Sequence, residues 1–260
     1  MFRSNKMAQK SISGTLKLAE KIRARRNELH LTIEEAAKRA GLGTKTWCRY
    51  EAGESIRQDK CKGVCKALNW VKLPNEDKEE NVIDLENECK HEAWSKYLED
   101  KFGKIAALSF SIGSDILLDY VNQDLEELSK LPKGTHLGQL GVSYLESLLP
   151  AQFLMSYDYN FLYIMKSKLI QLRKHAKCGH EIVAHSVLEE LILILVEEES
   201  EFLIESCENL KLDNDWKEWA YDVLGDADID MFLYSDEYLS ADDSYHFSHW
   251  LEQHFHYEEE

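Results

Sequence analysis

Three groups of side chains have types and spacings that bear on chemistry. Asp226, Asp228, Asp230 and Glu237 fall at positions 1, 3, 5 and 12 of a calcium-loop pattern, with Leu233 at apolar position 8. Position 6 is Met231, where the sharp turn needs glycine, and no second loop of the kind follows. The segment Asp226–Glu237 therefore reads as an acidic helix start, its aspartates favoured by the helix dipole and its apolar residues packing inward. His175, Cys178, His180 and His185 lie within eleven residues. Their spacing lacks the CxxC or HxxxH pair of a closed tetrahedral zinc site, so they read as solvent-facing groups around a helix break and no metal is expected. Thr44, Lys45, Thr46 and Arg49 form the third group, on the outward face of a short helix in "RAGLGTKTWCRYEAGE". They are hydrogen-bond donors, two of them cationic, and the chemistry they suit is contact with an anionic surface.

Catalysis has no comparable signal. The sequence contains no GxSxG, phosphate-loop, dinucleotide-loop or HExxH motif. No enzyme activity and no cofactor are expected. The six cysteines are scattered with no CxxC pair, and "MFRSNKMAQK" lacks the apolar stretch of a signal peptide. Reduced thiols in a cytoplasmic protein are the expectation. The longest apolar run, Leu191–Val196, is too short to span a bilayer, so no membrane partner is expected.

An anionic partner is at odds with a formal net charge of -17 until the charge is divided along the chain. Residues 1–74 hold 17 Lys and Arg against 7 Asp and Glu, a balance of +10; residues 75–260 hold 14 against 41, a balance of -27. Electrostatic attraction depends on the field within a Debye length of about 8–10 Å, so a basic module retains its affinity beside an acidic one. The polar, proline-containing "KLPNEDKEEN" marks the boundary, and residues 75–90 read as a linker between a module at 1–74 and one at 91–260.

The first module has strong helix signals. From Thr15, apolar Leu16, Leu18, Ala19 and Ile22 alternate with Lys and Arg, the pattern of an amphipathic helix that breaks at Asn27 and His30. Thr32-Ile-Glu-Glu35 is a capping box opening a second helix, whose Ala36, Ala37 and Ala40 form a small inner face. Gly41 stops it, and a third helix runs from Thr44 to Tyr50 with Trp47 and Tyr50 inward. A fourth covers Asp59–Asn69, with Val64, Leu68, Cys61 and Cys65 as its apolar stripe. Two short helices joined by a glycine-containing turn make a helix-turn-helix.

Residues Leu18–Trp70, and "LTIEEAAKRAGLGTKTWCRYEAGE" above all, resemble the Cro/CI-type (XRE family) helix-turn-helix of phage repressors. Small Ala37, turn residue Gly41, apolar Leu42, Trp47 and Tyr50, and the closing Glu51-x-Gly53 carry the resemblance. It implies a lambda-repressor-like domain of four to five helices whose third helix enters the major groove of double-stranded DNA. On that pattern Thr44, Lys45, Thr46 and Arg49 match base-reading positions. A bidentate Arg or Lys contact to guanine there is worth about 1–3 kcal/mol of discrimination. Thr32 and Arg57, the latter in the loop after the third helix, match positions that contact the DNA backbone. Arg26 and Glu51 match a pair that is structural in similar domains, together with Ala37, Gly41, Trp47 and Tyr50. Three residues depart from the pattern: Ile33 stands in place of a polar backbone-contacting residue, Gly43 in place of a capping Ser or Thr, and Trp47 in place of a smaller aliphatic.

The second module reads as all-α. Helical periodicity covers His91–Phe102, Ile105–Leu128, Gly141–Leu149, Phe161–Ala176, Glu181–Cys207 and Trp216–Leu224, with short connections that suit antiparallel neighbours. No strand pattern supports the β-rich self-cleaving domain of many phage-type repressors, and Cys178-Gly179 lies between helices, so autoproteolysis is not expected. Residues 213–260 hold 15 acidic and 11 aromatic residues, too aromatic for a disordered tail. Phe247, Trp250, Leu251 and Phe255 have helical spacing and read as core, with a folded cap or an interaction surface as the wider role.

The resulting expectation is an all-α protein that acts as a sequence-specific transcriptional regulator. It would be a repressor that binds a palindromic operator as a homodimer, with the acidic domain serving oligomerisation, sensing of a small effector or partner binding. The competing expectation is an antitoxin-like or phage-defence accessory protein whose acidic domain binds a protein partner. In that case the first module would only autoregulate an operon; a separate reading is a helix-turn-helix that has lost DNA binding and serves protein contact instead.

Overall fold

The computed structural model describes residues 11–12, 16–57, 60–70, 73–74, 82–207, 209–213, 215–224, 229 and 246–252. These are mostly helical, and the chain divides into two units: Met1–Glu80 with Gly141–Tyr144, and Asn81–Leu140 with Leu145–Glu260.

The first unit has four helices, α1 (Leu16–Glu28), α2 (Ile33–Arg39), α3 (Thr44–Glu51) and α4 (Cys61–Leu68). Leu18, Ala19 and Ile22 bury one face of α1. The chain then reverses through His30, whose φ of 54° lies in the left-handed region. The capping box forms: the Thr32 hydroxyl accepts from the Glu35 N–H at 3.1 Å, and the Glu35 carboxylate accepts from the Thr32 N–H at 2.7 Å. Gly41, at φ +60°, closes α2 in a Schellman turn in which Leu42 N–H bonds Ala37 C=O at 2.8 Å and Gly41 N–H bonds Lys38 C=O at 3.0 Å. Any residue with a Cβ would be strained at that φ. Ala36, Ala37, Leu42, Trp47, Tyr50, Val64 and Leu68 make the core. The fourth helix is shorter than the spacing suggests, starting at Cys61.

A two-residue ladder joins β1 (Ser11–Ile12) to β2 (Ile56–Arg57), antiparallel, with Ser11 opposite Arg57 and Ile12 opposite Ile56. Strands of two residues are too short to show an alternating pattern, so the sequence gives no sign of them. Arg57 thus lies on a strand and not in an irregular loop.

The second unit is built around α7 (Lys104–Leu128) and α9 (Val187–Glu205), which pack along each other. Around them stand α5 (Leu85–Glu88), α6 (Lys96–Phe102), α8 (Tyr159–Lys177) and α10 (Trp219–Leu224). The close approach of α7 to α9 depends on Gly113, where an added Cβ would sit 1.8 Å from the Val196 carbonyl oxygen. A directed chain of hydrogen bonds crosses this seam. Trp219 Nε1–H donates to Ser109 Oγ at 3.1 Å, Ser109 and Ser200 hydroxyls are 2.7 Å apart, and Ser200 donates to Glu197 C=O at 2.8 Å. Both serines are fully buried, and the chain satisfies each hydroxyl.

Several expected helix boundaries shift for local reasons. Residues 82–90, read as part of the linker, instead carry α5, capped by the Asp84 carboxylate, and Ile83 exchanges two hydrogen bonds with the Asn209 amide. Ser95 caps α6, so the helix expected from His91 starts at Lys96. Ser186 does the same for α9, leaving residues 181–186 outside the helix. Gly141–Leu149 is not a helix: the described structure there is a 3-10 turn at Leu145–Ser147, in a glycine-punctuated segment whose first four residues group with the first unit. Phe247, Trp250 and Leu251 lie in and after a 3-10 turn at Phe247–His249. Phe247 and Trp250 pack with Phe153, Tyr157 and Phe161 at ring separations of 5.0–5.7 Å, while Leu251 is exposed.

Among the described residues no helix is long and apolar enough to cross a membrane. All six cysteines are free thiols.

Candidate functional site

The third helix separates its residues sharply. Trp47 and Tyr50 are buried, whereas Thr44, Lys45 and Arg49 are exposed and Thr46 is half-buried at the edge. Gly43 precedes the helix with an extended backbone (φ -66°, ψ 143°) and no side-chain cap. The first-turn N–H groups of α3 therefore keep no side-chain acceptor from that residue, and such groups suit an anion.

A buried ion pair anchors the inner side of α3. Arg26 Nε donates to Glu51 Oε1 at 2.5 Å and Arg26 Nη2 to Oε2 at 3.2 Å, a forked contact. Trp47 Nε1–H donates to the same Glu51 Oε1 at 2.7 Å. Arg23 adds a bond to the Glu51 backbone carbonyl at 2.8 Å. Burial pushes the Glu51 carboxyl up, but hydrogen bonds from Arg26 and Trp47 and the charges of Arg26 and Arg23 outweigh it, holding the group below its ordinary value. The pair ties α1 to α3 and fixes the rotation of α3 about its axis. Which residues face outward follows from that rotation.

A second Schellman turn closes α3. Glu54 N–H bonds Arg49 C=O at 3.0 Å and Gly53 N–H bonds Tyr50 C=O at 3.1 Å. It carries the Glu54 side chain back to Arg49, whose Nε donates to Glu54 Oε2 at 2.7 Å and whose Nη2 lies 2.6 Å from it. Both side chains are more than half exposed. The sequence reading missed this partner, although the closing Gly53, four residues past Arg49 and next to Glu54, is a usable signal. Arg49 keeps Nη1 for an external acceptor, and a contact that needs Nε must displace Glu54, a small cost for an exposed pair.

Thr32 is exposed at the start of α2. Its oxygen accepts the cap bond from the Glu35 N–H, and its side chain also bonds the Glu35 carboxylate, which holds that carboxyl below its ordinary value together with the Thr32 N–H. Arg57 is half-buried on β2, and its carbonyl accepts from Cys61 Sγ at 3.3 Å. Ala37 and Gly41 shape the turn between α2 and α3. Burial drives the Cys65 thiol up to about 12, so this cysteine of α4 is a packing residue and not a nucleophile.

The second unit contains a polar cluster that sequence spacing does not reveal. Ser111 Oγ lies 2.6 Å from His91 Nδ1, and His91 Nε2 lies 3.1 Å from Asp115 Oδ2. Arg173 reaches Asp115, Ser114 at 2.8 Å and Glu92 at 3.1 Å. Burial raises the Asp115 carboxyl, but His91 and Arg173 together hold it below its ordinary value. Ser, His and Asp in series suggest nucleophilic catalysis. Two observations oppose that use. Ser111 is fully buried, and His91 Nδ1 also accepts the Ala93 N–H at 3.2 Å, so that nitrogen faces two donors. The cluster ties α7, α8 and the segment before α6 together.

Among the described residues no group of three or more His, Cys, Asp or Glu is placed to hold a metal ion. His175 and His180 have ring centroids 5.8 Å apart, and Cys178 is exposed. Asp226, Asp228, Asp230 and Glu237 lie outside the described residues. Ile229 between them is buried, its N–H donating to Glu190 Oε2 at 2.6 Å. No family model, curated protein or solved structure matches the chain.

Proposed function

We propose that the chain is a sequence-specific DNA-binding transcriptional regulator, a repressor that binds a palindromic operator as a dimer. The reading assigns the first unit to the lambda-repressor-like, Cro/CI-type class, with α3 as the helix that enters the major groove. The observation that carries it is the split of α3: Trp47, Tyr50 and Glu51 are locked inward, and Thr44, Lys45 and Arg49 are left exposed in a segment of charge +10. Lys45 and Arg49 suit guanine O6 and N7, the threonines suit a thymine methyl or a phosphate, and Thr32 and Arg57 suit the sugar-phosphate backbone. The second unit, at 13 basic against 37 acidic residues over 81–260, adds no general affinity for DNA. It would serve oligomerisation and the sensing of an effector or partner.

Selection of bound sequences from a random duplex pool tests the reading, repeated with Lys45→Ala and Arg49→Ala. A palindromic motif is expected, with affinity that falls steeply as salt rises. Each substitution should relax preference at its own base position by about 5- to 100-fold, whereas Arg57→Ala should weaken all sequences alike. Enrichment of no motif, or a motif unchanged by both substitutions, removes α3 from the role.

A further inference from the structure

Helix α8 differs in charge from the unit that holds it. Residues 81–260 are strongly acidic, yet Tyr159–Lys177 contains five Lys or Arg and no Asp or Glu. Lys168 is bound to Glu189 at 2.8 Å and Arg173 belongs to the Asp115 cluster. Among the described residues, Lys166, Lys174 and Lys177 have no carboxylate partner. They share one face with Tyr159, Tyr163 and Ile170, because these six positions recur at i, i+4, i+7, i+11, i+15 and i+18. Tyr159 and Tyr163 are 45% and 57% exposed, with ring centroids 6.4 Å apart and planes 14° from parallel. The stripe is about 27 Å long at 1.5 Å per residue. The stripe is aromatic at its start and cationic at its end; Tyr159, Tyr163, Lys174 and Lys177 are exposed, and Lys166 and Ile170 between them are half-buried.

We propose that this stripe is a self-association surface, packed against α8 of a second copy running antiparallel about a two-fold axis near residue 168. That axis sets Tyr159 against the partner's Lys177 and Tyr163 against the partner's Lys174, and it sets Lys166 beside the partner's Ile170. Each pairing brings an ammonium and its aliphatic stem onto a ring face or an apolar side chain. A parallel alignment would instead oppose Lys166, Lys174 and Lys177 each to its own copy. The antiparallel one also brings Asp158, at the helix start, towards the partner's Lys177 at the helix end, in accord with the helix dipoles. A surface complementary to itself in this way closes into a dimer and stops there. A long polyanion is a poorer occupant, because it would run off the stripe onto an acidic surface.

The inference supplies the dimer that the proposed function uses, but it rests on α8 and not on DNA binding. Sedimentation equilibrium of the full chain without DNA, at about 100 μM, well above a dissociation constant on the order of 10 μM, tests it. Twice the 30.2 kDa chain mass is expected. Tyr159→Lys with Tyr163→Lys should weaken association at least about tenfold by opposing like charges. Lys174→Glu with Lys177→Glu should do the same by placing anions on the ring faces. All four substitutions together should restore the dimer, since lysines then meet glutamates. A monomeric wild type, a dimer indifferent to both double substitutions, or failure of the fourfold variant to recover would overturn the proposal. So would a labelled oligothymidylate or a poly-glutamate peptide that binds the monomer and is lost with Lys174→Glu/Lys177→Glu. If no operator motif is enriched while the dimer persists, the fault lies with the DNA reading and not with this one.

Discussion

The two units manage charge in opposite ways. In the first, most cationic side chains stand outside a small apolar core, and charge enters the interior at Glu51, bound by Arg26 and Trp47, and at Lys60, whose ammonium lies 3.9 Å from the Tyr144 ring centroid. In the second, charged groups lie within the fold itself: Glu189, Glu190, Glu197, Glu199 and Arg173 are all buried. Net charge therefore says different things about the two. The first unit sums to +7 over residues 1–80, and among its described residues most of the cationic side chains reach solvent. Part of the acidity of the second is internal structure, committed to cap α9, to bind Lys168 and to receive the Ile229 N–H. A field computed from sequence totals overstates how negative that second surface is.

If this contrast holds, substitution of a buried charge should cost more in the second unit than in the first. Arg173→Ala is expected to have the largest effect. It leaves Asp115 and His91 without the guanidinium that joins them to Ser114 and Glu92, at a cost of about 2–4 kcal/mol. Denaturant unfolding followed by near-ultraviolet dichroism of the tryptophan-rich second unit measures it. Arg173→Lys should recover only a fraction, because one ammonium cannot address Ser114, Asp115 and Glu92 together.

The first-unit counterpart is Glu51→Gln, with an expected loss of about 1–3 kcal/mol, since glutamine still accepts from Trp47 but no longer neutralises Arg26. The pair also sets a pH dependence. The folded-state value of the Glu51 carboxyl is depressed, so its contribution is complete above the unfolded value of about 4.3 and fades as pH falls through the lower folded value. Acid titration of the wild type should therefore lose stability below about pH 4, with a weaker slope in Glu51→Gln. A Glu51→Gln cost larger than that of Arg173→Ala would break the comparison between the units.

The same contrast accounts for what could be read in the sequence. In the first unit the decisive signals are local: the Thr32–Glu35 capping box, the glycines that end α2 and α3, and the three-residue spacing of Trp47 and Tyr50. These fix helix positions to within one or two residues. The exposed face of α3 follows directly. In the second unit the deciding partners are distant. Arg173 meets Asp115 across 58 positions and Ser109 meets Ser200 across 91. Periodicity finds α7 and α9, but cannot show that Gly113 admits the Val196 carbonyl or that His91 is drawn out of a helix into a polar cluster. The acidic loop pattern at Asp226–Glu237 lies outside the described residues. The α8 stripe was hidden for another reason: its five basic residues are visible, but only the folded unit shows that Lys168 and Arg173 pair with carboxylates of that unit.

The smallest effect concerns Glu54, which sits where the two ways of managing charge meet on one residue pair. Arg49 holds the Glu54 carboxyl below its ordinary value through their hydrogen bond, so the carboxylate is ionised at neutral pH and would face the phosphates beside α3. Glu54→Gln removes that repulsion and loosens the hold on Arg49, while glutamine can still bond the guanidinium. Affinity for duplex DNA should rise about two- to fivefold at low salt, and the gain should shrink as salt screens the charge. Fluorescence anisotropy with the selected operator and with unrelated duplex gives both values. Selectivity decides what Arg49 does. If it reads a base, freeing it should favour the operator over unrelated DNA. An equal gain on both would reduce it to a phosphate contact and leave base reading to Lys45.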